Sequence, residues 1–170
     1  MHRKSVGIAV YLFALSLGAA GCASDWLVGR AAIVDGDTIE VAGKRVRLNG
    51  IDAPESWQWC EDATGQTYPC GKLSANALDD FLAKSRPVRC KREDLDRYKR
   101  VVGTCFRADG REVNVWMVVQ GYALDWPKYS GGRYAEAQRA ASFLRRGVWQ
   151  GRFDEPCNVR AKRANRVPNC

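Results

Sequence analysis

The chain has 170 residues, and its composition excludes several classes of protein before any motif is considered. Its 27 Lys and Arg exceed its 19 Asp and Glu by eight, which suits a polyanionic partner without identifying one. The only histidine is His2, close to the N-terminus. A serine-histidine triad and a histidine-based phosphoesterase are therefore excluded, and one domain with its own core is expected from the length.

Residues 1–23 are predicted to be a signal peptide. Arg3 and Lys4 precede an apolar run and then small residues, a pattern typical of secretion and too short to span a membrane comfortably. A retained anchor is the alternative. The residues before Cys22 also resemble a bacterial lipoprotein signal, although Ala19 stands where that signal usually has Leu. The protein is therefore expected to be secreted or periplasmic, with a lipid anchor at Cys22 left open.

Six cysteines follow Cys22, and an even number behind a secretory signal predicts disulfides in an oxidising compartment. Six cysteines allow fifteen pairings. Proximity in the sequence favours Cys60–Cys70, Cys90–Cys105 and Cys157–Cys170. A zinc site is the rival interpretation, and it is weakened because the sequence has no CxxC motif and no histidine after residue 2.

In chain order, residues 26–48 predict strand, turn and strand. An apolar stretch runs into the turn signal Asp35-Gly36-Asp37, Thr38–Val41 leaves it in alternation, and residues 45–48 alternate charged and apolar side chains after a second turn. A polar loop then extends to Gly71.

The second half of the chain mixes helical and extended patterns. Residues 73–82 predict a helix with one apolar face, and residues 88–91 and 101–106 predict paired strands around a charged run. Residues 113–120 fit a buried strand or a buried helix equally well. Residues 134–146 predict a helix with Gly147 at its C-cap. The pattern by itself therefore predicts an α+β domain in which a small barrel is plausible.

After Trp149 the chain becomes basic. Residues 152–170 are predicted to be an irregular tail pinned by Cys157 and Cys170, whose arginines and lysine are candidates for steering a polyanion.

Two acidic segments are the candidates for chemistry. Asp35-Gly36-Asp37-Thr38 and Asp52-Ala53-Pro54-Glu55 each place carboxylates in a turn-like segment, as a hard cation bound by oxygens requires. Each segment taken singly also fits ordinary loop chemistry.

Three spaced motifs together resemble the staphylococcal nuclease (thermonuclease) family. They are residues 35–38, then Arg47 followed at +5 by Asp52 and at +8 by Glu55, then Asp96-Arg97-Tyr98-Lys99-Arg100. Matching residues near 114, 121 and 149 extend the resemblance over about residues 28–150. The family implies a five-stranded oligonucleotide-binding (OB-fold) β-barrel with three α-helices, which assigns residues 113–120 to a helix. We assign this domain to residues 26–151.

The resemblance also implies an active site. The family's calcium ligands correspond to Asp37, Asp52 and the backbone carbonyl of Ala53, and its catalytic residues correspond to Arg47, Glu55 and Arg100. Arg97, Tyr98 and Tyr129 match positions that line its nucleotide pocket. Lys99 departs from the family's usual Gly, and a side chain at that position could shift Arg100.

By the same resemblance, the expected activity is calcium-dependent endonuclease cleavage of DNA and RNA to 3′-phosphate and 5′-hydroxyl ends. Single strands are the expected substrate, with little sequence preference, since OB-fold grooves bind them by charge and stacking. We expect a monomer with no protein partner. Two alternatives remain: a non-catalytic nucleic-acid-binding module, and an envelope lipoprotein that binds another polyanion.

Overall fold

The computed structural model describes residues 25–168 and residue 170. The predicted signal peptide and Cys22 lie outside the described residues. Within the described ranges, no helix is both long enough and apolar enough to cross a membrane.

The fold is α+β, as predicted. The strands are β1 (Trp26–Gly29), β2 (Ala31–Asp35), β3 (Thr38–Val41), β4 (Lys44–Leu48), β5 (Ile51–Asp52), β6 (Cys60–Glu61), β7 (Thr67–Tyr68), β8 (Val88–Leu95), β9 (Val101–Phe106) and β10 (Leu124–Asp125). The α-helices are α1 (Cys70–Ala83), α2 (Val113–Val119), α3 (Pro127–Ser130), α4 (Ala135–Phe143) and α5 (Pro156–Arg163), and a 3₁₀ helix spans Gly147–Gln150.

The main sheet has six strands in the order β1-β8-β9-β4-β3-β2. All its neighbours are antiparallel except β4 and β9, which run parallel and place Arg47 opposite Val102. The sheet curls, since Gly29 of β1 lies in contact with Val41 and Ala42 at the end of β3. The strand and helix counts therefore correct the prediction of five strands and three helices: the described residues form a six-stranded main sheet and five α-helices.

The core lies between the curled sheet and the helices α1 and α2. The alternation in β3 and β4 turns their apolar side chains inward and leaves Glu40 and Arg45 exposed. The segment that was ambiguous in the sequence is helix α2, which buries one face on the sheet. The principal core side chains are Ile39, Val41, Val46, Leu48, Leu78, Phe81, Leu82, Val88, Val113, Met117 and Val118.

Strand β8 and helix α4 differ from their predicted bounds, and Gly147 differs from its predicted role. Strand β8 continues to Leu95, so that only residues 96–100 form the hairpin loop before β9. Helix α4 ends at Phe143, and Gly147 opens the 3₁₀ helix with its backbone packed against Gly121 instead of capping α4.

The predicted irregular tail contains the helix α5. Pro156 occupies its first turn, where a missing N–H costs nothing, and its last turn holds Arg160, Lys162 and Arg163. Basic side chains at this end complement the partial negative charge of the helix C-terminus. The domain boundary at residue 151 stays a prediction.

All three predicted disulfides are present. The Cα–Cα distances are 5.6 Å for Cys60–Cys70, 4.0 Å for Cys90–Cys105 and 5.8 Å for Cys157–Cys170. The first closes the loop before α1, the second joins β8 to β9, and the third closes the segment that carries α5.

Candidate active site

Two acidic segments that are separate in the sequence come together at one end of the sheet. The β2–β3 turn supplies Asp35 and Asp37, and the segment from β5 onward supplies Asp52 and Glu55. The backbone N–H of Ala53 donates to Asp37 Oδ2 at 3.1 Å, which ties one segment to the other. We call these four carboxylates the acidic centre.

Gly36 allows the β2–β3 turn to approach so closely. A Cβ at this position would collide with Ser74 of α1 and would lie 2.8 Å from the Cβ of Ala53. The Gly36 N–H donates to Asp35 Oδ1 at 2.8 Å, which holds the turn. Helix α1 thus forms the surface on which both acidic segments pack.

Arg47 of β4 bridges the two acidic segments. Its guanidinium forms ion pairs with Asp37 and with Asp52, the latter at 3.1 Å, and it also donates to the Ile51 carbonyl at 3.3 Å. Burial alone would lower the pKa of Arg47, but the two carboxylates outweigh it and raise the pKa. The guanidinium is therefore charged at any working pH.

The carboxyl group of Asp35 is less acidic than an ordinary aspartate. Burial raises its pKa to about 6, helped by the negative charges of Asp37 and Glu55 and opposed by the Gly36 N–H and by Arg47. Because the charges of Asp37 and Glu55 contribute to this rise in pKa, Asp35 interacts electrostatically with both carboxylates. The sequence motif had included Asp35 only as part of the turn.

A third element, α5, also contributes to the acidic centre. Arg160 Nη1 and Nη2 lie 2.7 and 3.0 Å from the two oxygens of Asp52, and Nη1 lies 2.8 Å from Glu55 Oε1. Both arginines of the centre, Arg47 and Arg160, lie over the ring of Trp126 at 5.7 and 5.3 Å from its centroid. From the sequence, the basic tail was a candidate for steering a polyanion to the protein. No feature of the sequence indicated that Arg160 reaches Asp52.

The turn that carries Glu55 is held at several points. The Glu55 N–H donates to Gln58 Oε1 at 3.2 Å, and the Gln58 N–H donates back to the Glu55 carbonyl at 2.7 Å. The buried Gln58 side chain also donates to the Asp154 carbonyl at 2.7 Å. Gly71 of α1 packs directly on the Glu55 carbonyl, where a Cβ would not fit. Glu55 is thus fixed between α1 and the segment that leads to α5.

The remaining predicted arginines lie on the β8–β9 hairpin. Arg100 donates from its backbone N–H and from Nε to Asp96, at 2.9 and 2.6 Å. Arg100 lies two residues before Val102, the residue of β9 that is paired with Arg47 of β4. Within residues 25–168, the ion pair of Arg100 is with Asp96 and not with the acidic centre. Lys99 adopts a left-handed conformation with φ of 64°, so the turn closes as it would with glycine.

The predicted pocket tyrosines are exposed. Tyr98 is 65% exposed, with the guanidiniums of Arg97 and Arg100 at 4.8 and 5.7 Å from its ring centroid. Tyr129 of α3 packs its ring on Trp126 at 4.6 Å between centroids. The structure therefore places Tyr129 beside the ring over which Arg47 and Arg160 lie, and it leaves Arg97 and Tyr98 on the hairpin.

The donor atoms of the centre are of the kind that a hard cation prefers. Asp37, Asp52 and the Ala53 carbonyl offer oxygens only, as calcium and magnesium prefer. The two guanidiniums leave the four carboxylates with excess negative charge, which a divalent cation would balance. Glu155 also lies beside Cys157 and Cys170, but both sulfurs are committed to a disulfide and offer no thiolate.

Comparison with known proteins agrees with this geometry. Residues 45–151 match the family described as staphylococcal nuclease homologues. This chain belongs to the staphylococcal nuclease family. The match includes Arg47, Asp52, Glu55 and Arg100, and it ends before α5 begins.

Individual relatives carry different names. The chain is 50% identical to the succinoglycan biosynthesis protein ExoI of Rhizobium meliloti (strain 1021), over 87% of this chain and 78% of the relative. It is 31% identical to an uncharacterized endonuclease of Escherichia coli, over 86% and 90% of the two chains. It is 30% identical to a micrococcal nuclease of Shigella flexneri, over 69% and 70%.

Proposed function

We propose that this chain is a metal-dependent endonuclease that hydrolyses phosphodiester bonds in DNA and RNA and leaves 3′-phosphate ends. The observation that carries the proposal is the convergence of Asp37, Arg47, Asp52, Ala53 and Glu55 in one centre. The membership of a nuclease family supports it, as do the names of two relatives.

The proposed cation is calcium, held by the carboxylates of Asp37 and Asp52 and by the backbone carbonyl of Ala53. When bound, it supplies positive charge next to the substrate phosphate. Because this ligand is a backbone carbonyl, it does not depend on the side chain of residue 53. Ala is therefore acceptable where the family often has Thr.

Glu55 is the proposed general base, or at least the group that orients the attacking water. The water oxygen bonds to phosphorus as its proton passes to Glu55, the bond from phosphorus to the 5′-oxygen breaks, and that oxygen takes up a proton from solvent water and leaves as a hydroxyl. Arg47 and Arg100 are the proposed phosphate ligands, because a planar guanidinium matches phosphate oxygens and gains most as charge builds in the transition state. Arg47 already lies in the centre, and Arg100 immediately precedes β9, the strand that pairs with β4.

We further propose that the enzyme works outside the cytoplasm as a monomer on single-stranded nucleic acid. The three disulfides support an oxidising compartment, and the basic excess supports a polyanionic substrate. Lipid attachment at Cys22 remains part of the hypothesis on location, and mass spectrometry of the mature N-terminus distinguishes a lipidated Cys22 from a bare amine.

A second candidate function is binding of a polysaccharide, succinoglycan. It is favoured by the name of the relative that shares 50% identity, a succinoglycan biosynthesis protein. Salt-sensitive binding of that polysaccharide, without cleavage of any nucleic acid, would support this candidate over the nuclease.

The testing experiment is digestion of single-stranded DNA by the purified protein, with calcium and with a chelator. Cleavage is expected only with calcium, and Glu55→Gln or Arg100→Ala is expected to lower kcat by ~10²–10³. Glu40→Gln and Arg45→Ala remove the same charges from exposed positions on β3 and β4 and should leave kcat unchanged. Cleavage that persists in Glu55→Gln would contradict the assigned site.

A further inference from the structure

An open pocket lies directly beside Glu55. Its volume is about 440 Å³, within the range of small-ligand sites. The lining residues are Glu55, Trp57, Arg160, Arg163 and Ala164. Three of the five belong to α5 or the residue after it, which lie beyond the segment matched to the family.

The walls of the pocket combine an aromatic plane with two guanidiniums. Arg163 Cζ lies 4.3 Å from the centroid of the Trp57 ring, and Trp57 nevertheless keeps 41% of its surface exposed. Arg160 forms the inner wall, and its guanidinium pairs with both Asp52 and Glu55. The pocket therefore opens from the solvent directly onto the acidic centre.

This combination suits one nucleotide. Exposed indole rings stack on nucleobases without regard to sequence, and guanidiniums bind phosphate oxygens through paired N–H donors. The single carboxylate in the lining, Glu55, is already paired with Arg160, so that the remaining charge of the pocket is that of Arg163. A nucleotide in the pocket would have its phosphate near Arg163 and its base against the Trp57–Arg163 pair.

The helix that forms the pocket is firmly attached to the domain. The Cys157–Cys170 disulfide closes its segment, and the Trp126 Nε1–H donates to the Cys170 carbonyl at 3.2 Å. Gln58 connects the Glu55 turn to Asp154, just before the helix. A site built on anchored elements loses little conformational entropy when a ligand binds.

We propose that α5 adds to this enzyme a nucleotide-binding subsite, formed by Trp57, Arg160 and Arg163, that holds a nucleotide of the substrate next to the reacting phosphate. The proposal rests on the proposed nuclease function and deepens it. It assigns to the C-terminal segment a role in substrate binding that the residues matched to the family do not supply.

The test measures binding separately from cleavage. A short fluorescein-labelled oligothymidylate is titrated with the purified protein in chelator, and its anisotropy is followed at several salt concentrations. Trp57→Ala is expected to weaken binding by about tenfold through lost stacking. Arg163→Gln is expected to weaken binding and to lower the slope of log K against log salt by about 0.7, as loss of one phosphate contact on a single strand does.

Two matched variants control for general effects. Trp59→Ala removes an indole that is 63% exposed two residues away, and Arg166→Gln removes an exposed charge beyond the pocket lining. Both should bind as the wild type does, and circular dichroism verifies that all four variants are folded.

The outcomes separate the subsite from the catalytic proposal. Weaker binding by Trp57→Ala and Arg163→Gln alone supports the subsite, even if no calcium-dependent cleavage is found. Wild-type affinity in both variants, or equal losses in the two controls, overturns the subsite while leaving any cleavage by the wild type in place. Failure of the wild-type protein to bind the oligonucleotide in chelator overturns the subsite, and the digestion with calcium then decides the nuclease by itself.

Discussion

Arg160 and the proposed cation would require the same carboxylate, that of Asp52. The guanidinium engages both oxygens of Asp52 and one of Glu55, and its side chain is 32% exposed. Burial alone would lower the pKa of Arg160, but hydrogen bonds and charge from Asp52 and Glu55 raise it, so the competitor is always charged. A cation at Asp52 must therefore displace at least part of this ion pair.

Arg160→Gln is expected to raise the affinity of the protein for a hard cation by about tenfold or more. Hydrogen bonds to charged groups contribute roughly 1.5–3 kcal/mol, and the variant no longer loses them when the cation binds. Terbium is a suitable stand-in for calcium because Trp126, against which Arg47 and Arg160 lie, can sensitise its luminescence.

Lys162→Gln is the matched control for this measurement. This variant removes one positive charge from α5, as Arg160→Gln does. The Lys162 ammonium that it removes pairs with Asp154 at 2.7 Å on the exposed side of the helix. An equal rise in terbium affinity in both variants would indicate a general change in electrostatic potential. An unchanged terbium affinity in Arg160→Gln would show that the ion pair does not compete with the cation.

At the scale of elements, the β8–β9 hairpin positions Arg100. Asp96 Oδ1 accepts the backbone N–H groups of Tyr98 and Arg100, both at 2.9 Å, and Oδ2 accepts from Arg100 Nε. Burial alone would raise the pKa of Asp96, but the bonds from the Arg100 side chain and backbone outweigh it and lower the pKa below 3.8. The carboxylate thus closes a loop whose fourth residue, Lys99, is in a strained left-handed conformation.

Asp96→Asn is expected to lower the free energy of unfolding by about 1 kcal/mol at pH 7. Because folding lowers the pKa of Asp96, its contribution is complete above its ordinary pKa of 3.8 and is lost as the pH falls through the folded-state value. The difference between the wild type and the variant should therefore shrink below about pH 4. Urea unfolding across this range provides the measurement.

Asp79→Asn is the control for the hairpin, since Asp79 is an exposed acid on α1. It should leave the free energy of unfolding nearly unchanged at both ends of the pH range. A destabilisation by Asp96→Asn that stayed constant into strong acid would contradict the ionic origin of the effect.

At the scale of the whole molecule, the disulfides differ in how far the core covers the segments that they join. Cys90–Cys105 lies within the main cluster of buried residues, whereas Cys157–Cys170 closes a segment that buries only Pro156 and Cys157 of α5. The position of Arg160 in the acidic centre therefore depends on a covalent link as well as on its ion pairs.

Replacing Cys157 and Cys170 by serine is expected to loosen α5 alone. Amide hydrogen exchange of residues 157–163 should become faster, while the amides of β8 and β9 keep their protection, because the core is not altered. Unchanged protection of α5 in the double variant would show that Arg160 and Gln58 suffice to hold the helix.

Much of the fold could be predicted because its signals are local. Alternation in residues 45–48 predicted a half-buried strand, the apolar face of residues 73–82 predicted α1, and close spacing of the cysteines predicted all three disulfides. The predictions were wrong where packing decides. The charged strand end at residues 92–95 pairs with β9 without an apolar face, and α5 forms in a segment without a clear apolar period.

The family and the residues of the predicted site could be read from local motifs: residues 35–38, the spacing of Arg47, Asp52 and Glu55, and residues 96–100. The sequence also determined an all-oxygen candidate cation site, since no histidine follows residue 2. The contact of Arg160 with Asp52, 108 residues away, and the position of Arg163 over Trp57 emerge only in the folded molecule. Because the α5 segment has no clear apolar period, its packing depends on where the curled sheet, α1 and the closing disulfide leave room for it.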